Sequence, residues 1–175
     1  MVAMSCTSVV RVAGPSDFNE CWRLLMESHD ENALFPLAED KVKWFVNRVL
    51  YPETIAADDI MVRGVIGVIG PIDALEGLVF ITVGSYWYSH HLHIEEYMVY
   101  VDPKHRRSGH AKALVGWMKE QVNKTGLPLI TGIMSTKRTE AKCRLYQRML
   151  PKVGEFFFLA PKGSIMAPAL TMVSS

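Results

Sequence analysis

The sequence predicts an α/β domain, with a central mixed, mainly antiparallel sheet of about six to seven strands flanked by about four helices. Three observations carry that prediction. Stretches with apolar residues at helical spacing sit at both ends of the chain, around Phe18–Met26, Val42–Val49 and Thr139–Leu150. The middle, from Ile60 to Val101, turns to β-branched runs punctuated by glycine. At Gly109 a strand-like run gives way, across a basic turn, to a further amphipathic helix.

Element by element, Ser8–Val12 reads as a short strand closed by the turn pair Gly14-Pro15. Ser16 or Asp17 caps a helix to about His29, with Phe18, Cys21, Trp22, Leu25 and Met26 on one face. A second helix spans Glu39–Leu50 on the recurrence of Val42, Phe45, Val46 and Val49, and Tyr51-Pro52 stops it. Ile60–Ile69 and Leu75–Trp87, separated by Gly70-Pro71, form an antiparallel pair, and His93–Val101 is the next strand. A helix over Gly109–Lys124 carries the stripe Ala111, Val115, Met118 and Val122. Leu127–Met134 is strand-like and Thr139–Leu150 helical. Phe156–Leu159 and Ala169–Val173 read as two closing strands.

A chain of 175 residues is read as one domain over residues 1–175, long enough to bury a core. Hydrophobic residues make up 49% and charged residues 21%, a globular balance rather than a disordered one. With a formal net charge of +1, the molecule as a whole has no pull toward nucleic acid or a membrane, so anion binding must be local. Cys6, Cys21 and Cys143 follow neither a disulfide nor a zinc pattern, which fits a reducing cytoplasm. No apolar run reaches membrane-spanning length, and Met1–Val12 lacks the form of a signal peptide. The cytoplasm is the expected location.

The most informative stretch runs from Tyr100 to Ala111. The first amides of a helix have no intrahelical acceptor, and the helix dipole makes that end positive. Gly109 and Ala111 let an anion approach the backbone, while Lys104, Arg106, Arg107 and Lys112 crowd the same point. Cations are disfavoured there unless an anion joins them. Strand, small residues and helix start together make a phosphate cradle. It is neither G-x-x-x-x-G-K-[ST] nor G-x-G-x-x-G, both absent from the chain.

Arg106-x-x-Gly109-x-Ala111, after Val99-Tyr100-Val101-x-Pro103, resembles the acyl-CoA motif [RQ]-x-x-G-x-[GA] of the GNAT superfamily of N-acyltransferases. The element order matches that family over nearly the whole chain. The resemblance implies a GNAT-like fold, acetyl-CoA as co-substrate and direct attack by a primary amine of a small molecule or protein. It implies cofactor contacts at Arg106, Arg107, Ser108, Gly109, His110 and Ala111, whose amides from Arg107 onward would take the pyrophosphate. The backbone near Val99 and Val101, on a strand splayed from Leu127–Met134, would pair with the pantetheine arm. The family usually has glycine where Ser108 or Ala111 stands here, while Gly109, nearest the pyrophosphate, is kept.

Acyl transfer also needs a base and a proton donor for the thiolate. By resemblance Glu95, eleven residues before Arg106, is the expected base. Its neighbour Glu96 must point to the other face, so only one of the pair meets the cleft. Tyr146, in Leu145-Tyr146, matches the tyrosine of N-x-x-A-x-x-L-Y that commonly protonates the thiolate, although Thr139 and Lys142 replace the asparagine and alanine. The region Asp17–Leu50 and the loop Ser85–His93 would line the acceptor side. There Glu27, Asp30, Glu31, Glu39 and Asp40 either attract a cationic amine or are solvated helix faces. One of Tyr86, Trp87 and Tyr88 could line the acceptor pocket while the rest pack the sheet; Trp22, Trp44 and Phe45 are read as core or helix packing.

His90-His91-x-His93 has no nearby cysteine and no H-E-x-x-H, so it reads as a polar turn and no metal is expected. An alternative function is a CoA-binding regulatory or interaction module without catalysis, which the incomplete tyrosine motif supports. A nucleic-acid binder using Lys104–Lys112 has only that patch in its favour. Dimers are frequent in the family, leaving a homodimer open.

Overall fold

The computed structural model describes residues 9–54, 64–135 and 137–157. Among them are five strands and four helices, in the order β1 (Arg11–Val12), α1 (Phe18–Asn32), α2 (Glu39–Leu50), β2 (Gly64–Ile69), β3 (Gly77–Ser85), β4 (Leu92–Val101), α3 (His110–Thr125), β5 (Leu129–Ile130) and α4 (Thr139–Met149). The strands lie side by side in chain order, antiparallel except for β4 and β5, which run parallel.

Two cores sandwich the sheet. On one face Leu24 and Cys21 of α1 and Val46 and Leu50 of α2 pack on Ile66, Val68, Leu78 and Phe80. On the other, Leu114, Val115, Trp117 and Met118 of α3 pack on Val79, Ile81, Ile94 and Val101. Burial drives the Cys21 thiol up to about 12. The buried edge of α1 includes Leu24, outside the stripe expected from the sequence, whereas Trp22 is half-buried under the Lys43 ammonium, 4.8 Å from its ring centre.

Asp17 does not cap α1 with its side chain. Its buried carboxylate turns back to accept both Arg11 guanidinium nitrogens (2.7 and 2.8 Å) and the Gly14 amide (2.9 Å), stitching β1 to the helix start. Several strands are shorter than predicted. Leu127–Met134 contributes only Leu129–Ile130 to the sheet, and Phe156–Phe157 are not extended into a strand. Ser8, Phe158–Leu159, Ala169–Val173 and the stretch 60–63 lie outside the described residues.

Two irregularities shape the site. β4 and β5 pair only at Ile94–Leu129 and Glu95–Ile130, then part. In the same place β4 bulges: Phe80 faces Met98 but Ile81 faces Glu96, so Tyr97 is the extra residue. Alternation counted down from Val99 would place Glu95 on the α3 face. The bulge shifts the parity, and Glu96 joins Ile94, Val99 and Val101 there instead.

Candidate active site

Where β4 and β5 diverge, a cleft of about 280 Å³ opens between Glu96–Val101, the segment 132–135, the end of α1 and one face of α4. Its polar lining comes from residues far apart in sequence. Tyr146 on α4 donates its hydroxyl to Glu96 Oε2 at 2.7 Å, and Thr131 Oγ1 donates to the same oxygen. Desolvation in the cleft pushes the Glu96 carboxyl above its ordinary range. Desolvation first, and the Glu96 carboxylate second, push the Tyr146 phenol well above 10, so it holds its proton firmly. Beside them Lys142 Nζ donates to Asn32 Oδ1 and Ser135 Oγ, both at 2.7 Å, and burial lowers its pKa.

At the other end the cleft reaches Arg106 and Ala111. The loop between β4 and α3 is anchored at both ends. At its start, Asp102 accepts the Lys104 amide (2.9 Å) and the Arg23 guanidinium of α1 (3.2 Å); against the cost of desolvation these hold its carboxyl below the usual range. At its end, the buried His110 ring meets Glu76 in the turn between β2 and β3. Gly109 has φ +88°, the left-handed region in which glycine is strongly favoured, and an added Cβ there would meet nothing within 4 Å. The Ala113 amide is bonded to the Gly109 carbonyl at 3.1 Å; those of Ala111 and Lys112, two residues and one residue earlier, have no carbonyl in the helix to reach. Arg107, Ser108 and Gly109 are all exposed.

Arg106 behaves differently from its neighbours. Its guanidinium pairs with Glu31 of α1 and lies 5.6 Å over the Tyr100 ring, while Nε donates to the Val101 carbonyl at 3.2 Å. The Glu31 carboxylate thus meets a cation of this chain, and Glu27 likewise pairs with Arg23 at 2.8 Å. The Val101 carbonyl, expected at the pantetheine edge, is held by the loop; Val99 lines the open cleft.

Glu95 does not line this cleft. It projects from the opposite face of β4, where Oε1 is 2.9 Å from His93 Nε2 and the carboxylate lies over Gly84. Its side chain is 39% exposed beside His93, whose ring stacks on Tyr86, which in turn stacks on the exposed Tyr88. His93 is therefore a buried partner of a carboxylate, while His91 is exposed and donates its amide to Ser89 Oγ. Neither Thr131 nor the Lys142–Asn32–Ser135 group stands out in the sequence as a site; their partners lie too far away along the chain for spacing to show. Glu96 is visible there only as one of an adjacent pair.

A family model described as an acetyltransferase (GNAT) domain matches residues 55–149. No curated protein matches in sequence. Solved structures share the fold at low identity. The ribosomal-protein-alanine N-acetyltransferase of Brucella melitensis biovar Abortus 2308 is 14% identical with TM-score 0.61, over 90% of this chain and 100% of that one. A possible acetyltransferase of Clostridium difficile 630 is 16% identical with TM-score 0.64, over 87% and 96%. An aminoglycoside acetyltransferase from an uncultured soil metagenomic sample is 17% identical with TM-score 0.61, over 89% and 98%.

Proposed function

The chain belongs to the acetyltransferase (GNAT) family, and from that premise we propose that it transfers an acetyl group from acetyl-CoA to a primary amine. The observation that carries the reading is the cleft itself, which runs from Tyr146 and Glu96 at the β4–β5 fork to Arg106 and Ala111 at the start of α3. A phosphate-bearing thioester fits that layout: diphosphate at the amides from Arg107 to Ala111, pantetheine along the freed edge at Val99, thioester at the fork. The helix dipole favours the anion, with Lys104, Arg107 and Lys112 nearby; the Ser108 and His110 amides, bonded to His105 O and Ser108 Oγ at 3.1 and 3.4 Å, would turn to it on binding.

The chemistry divides between the two faces of β4. With the cofactor filling the cleft, the acceptor approaches from the Glu95 face, where carboxylate and exposed aromatic rings suit a cationic amine. Glu95, oriented by His93, takes the ammonium proton, directly or through water, and frees the nucleophile. The amine attacks the thioester carbonyl, the C–N bond forms, the nitrogen sheds its second proton to water, which reprotonates Tyr146 at the end of the cycle, and the C–S bond breaks. Tyr146 gives its proton to the departing thiolate, and a phenol that is hard to ionise keeps that proton until the thiolate appears. Glu96 and Thr131 position the phenol.

A panel of small amines, polyamines and peptide N-termini, assayed with acetyl-CoA for release of free thiol, tests this. Turnover with at least one amine, lost in Glu95→Gln and Tyr146→Phe, is expected. Acetyl-CoA binding without turnover on any acceptor would favour the non-catalytic regulatory module.

A further inference from the structure

We propose that Glu76, His105 and His110 form a binding site for one divalent transition-metal ion of the zinc class, tying the β2–β3 turn to the loop before α3. The three come from separate places: the approach to β3, the 3₁₀ turn Pro103–His105 and the first residue of α3. Their side chains nevertheless converge. Glu76 Oε2 lies 2.5 Å from His110 Nε2 and 3.3 Å from His105 Nδ1, and all three donor atoms fall within 4.8 Å of one another. The two imidazoles stack, their planes 14° apart with centroids at 5.9 Å, so both present a nitrogen to the same carboxylate.

Those spacings suit a tetrahedral ion. Bonds of about 2.0–2.1 Å place the donors of such a site roughly 3.3 Å apart. The His105–Glu76 separation already has that value, and the His110–Glu76 contact needs to open by less than about 1 Å. The backbone carrying the ligands is held: the Glu76 amide bonds to Ile69 O at 2.8 Å, Glu76 O accepts the Asp102 amide at 2.9 Å, and the His105 amide bonds to Asp102 O at 2.8 Å. His110 is buried at the base, whereas His105 and Glu76 side chains are 38% and 29% exposed and leave a path from solvent. Two imidazoles and one carboxylate are a borderline donor set that favours zinc, cobalt or nickel over magnesium or calcium. A fourth position remains for water. The site does not depend on the acyl-transfer reading: Glu76 and His105 have no part in it, and His110 offers its ring here and only its amide there.

The test uses the full chain, stripped by chelator dialysis, titrated with Co²⁺ while visible absorption is followed and with Zn²⁺ by calorimetry. The expected result is saturation at one equivalent per chain, displacement of Co²⁺ by Zn²⁺ and a raised melting temperature. In His105→Ala, a substitution at a half-exposed position, and in Glu76→Gln, affinity should fall by more than about tenfold while circular dichroism is unchanged. A His90→Ala, His91→Ala double variant should bind as the wild type does. Failure to saturate at one equivalent, undiminished binding in His105→Ala, or loss in the double variant would each overturn the proposal.

Discussion

Tyr146 and Glu96 are fifty residues apart in sequence and 2.7 Å apart in space, and the proposed chemistry turns on that contact. Tyr146→Phe removes the proton donor and little volume. Its kcat should fall roughly 100-fold or more with the KM for acetyl-CoA nearly unchanged, in steady-state assays on any accepted amine. Glu96 makes a thermodynamic prediction as well. Desolvation raises its folded pKa above the unfolded value near 4.5, so the folded state holds its proton more tightly. The resulting stabilisation is fully present below the unfolded value and is lost as pH rises through the folded one. Glu96→Gln cannot ionise, so it should gain stability relative to wild type between pH 4 and 8 in urea melts. A difference independent of pH would contradict this.

Residues legible in the sequence and those underplayed there differ in a physical way. Arg106, Gly109 and Ala111, proposed as the cofactor loop, lie within six residues of chain, so their spacing alone brings them together. Glu96 depends on the bulge at Tyr97, a register event that alternation along β4 cannot foresee, and on Thr131 and Tyr146 from other elements. The metal-ligand triad is likewise assembled from three segments with no sequence motif between them.

At the scale of elements, strands β3 and β4 bring Gly84 under the Glu95 carboxylate. A Cβ at Gly84 would lie 2.5 Å from Glu95 Oε1, the far end of a flexible side chain that can swing aside. Gly84→Ala should therefore cost little stability but displace the proposed base, lowering kcat by about tenfold or more with a small change in Tm. An unchanged kcat would place the base elsewhere. The entry to α1 makes the opposite kind of prediction. The Arg11 guanidinium holds the Asp17 carboxyl below its usual range, giving stability that is present above the unfolded value near 3.8 and lost as pH falls through the lowered folded one. Asp17→Asn should cost about 2 kcal/mol at neutral pH, and the deficit should shrink on acidification. The periodicities marked all four helices to within a few residues, because α1, α2 and α3 bury a stripe against the sheet and α4 packs Leu145, Tyr146 and Met149, partly buried, against the second core. The strand predicted over Leu127–Met134 was too long because parting from β4, rather than pairing with it, is what opens the cleft.

For the molecule as a whole, a five-stranded sheet between two cores holds one fork and one loop at opposite ends of a single cleft. The near-zero net charge leaves anion binding to local groups, and the proposed site draws on one loop and one helix start. The anchors at Asp102 and His110 keep that loop in place before any ligand arrives, which lowers the ordering cost of binding. The most direct measurement is a calorimetric titration of acetyl-CoA into the wild type and into Gly109→Glu, with circular dichroism confirming that the variant is folded. The account predicts saturable one-to-one binding that weakens about 100-fold or more in the variant, a loss of about 2.7 kcal/mol. Equal affinities, or no binding to the wild type, would contradict it.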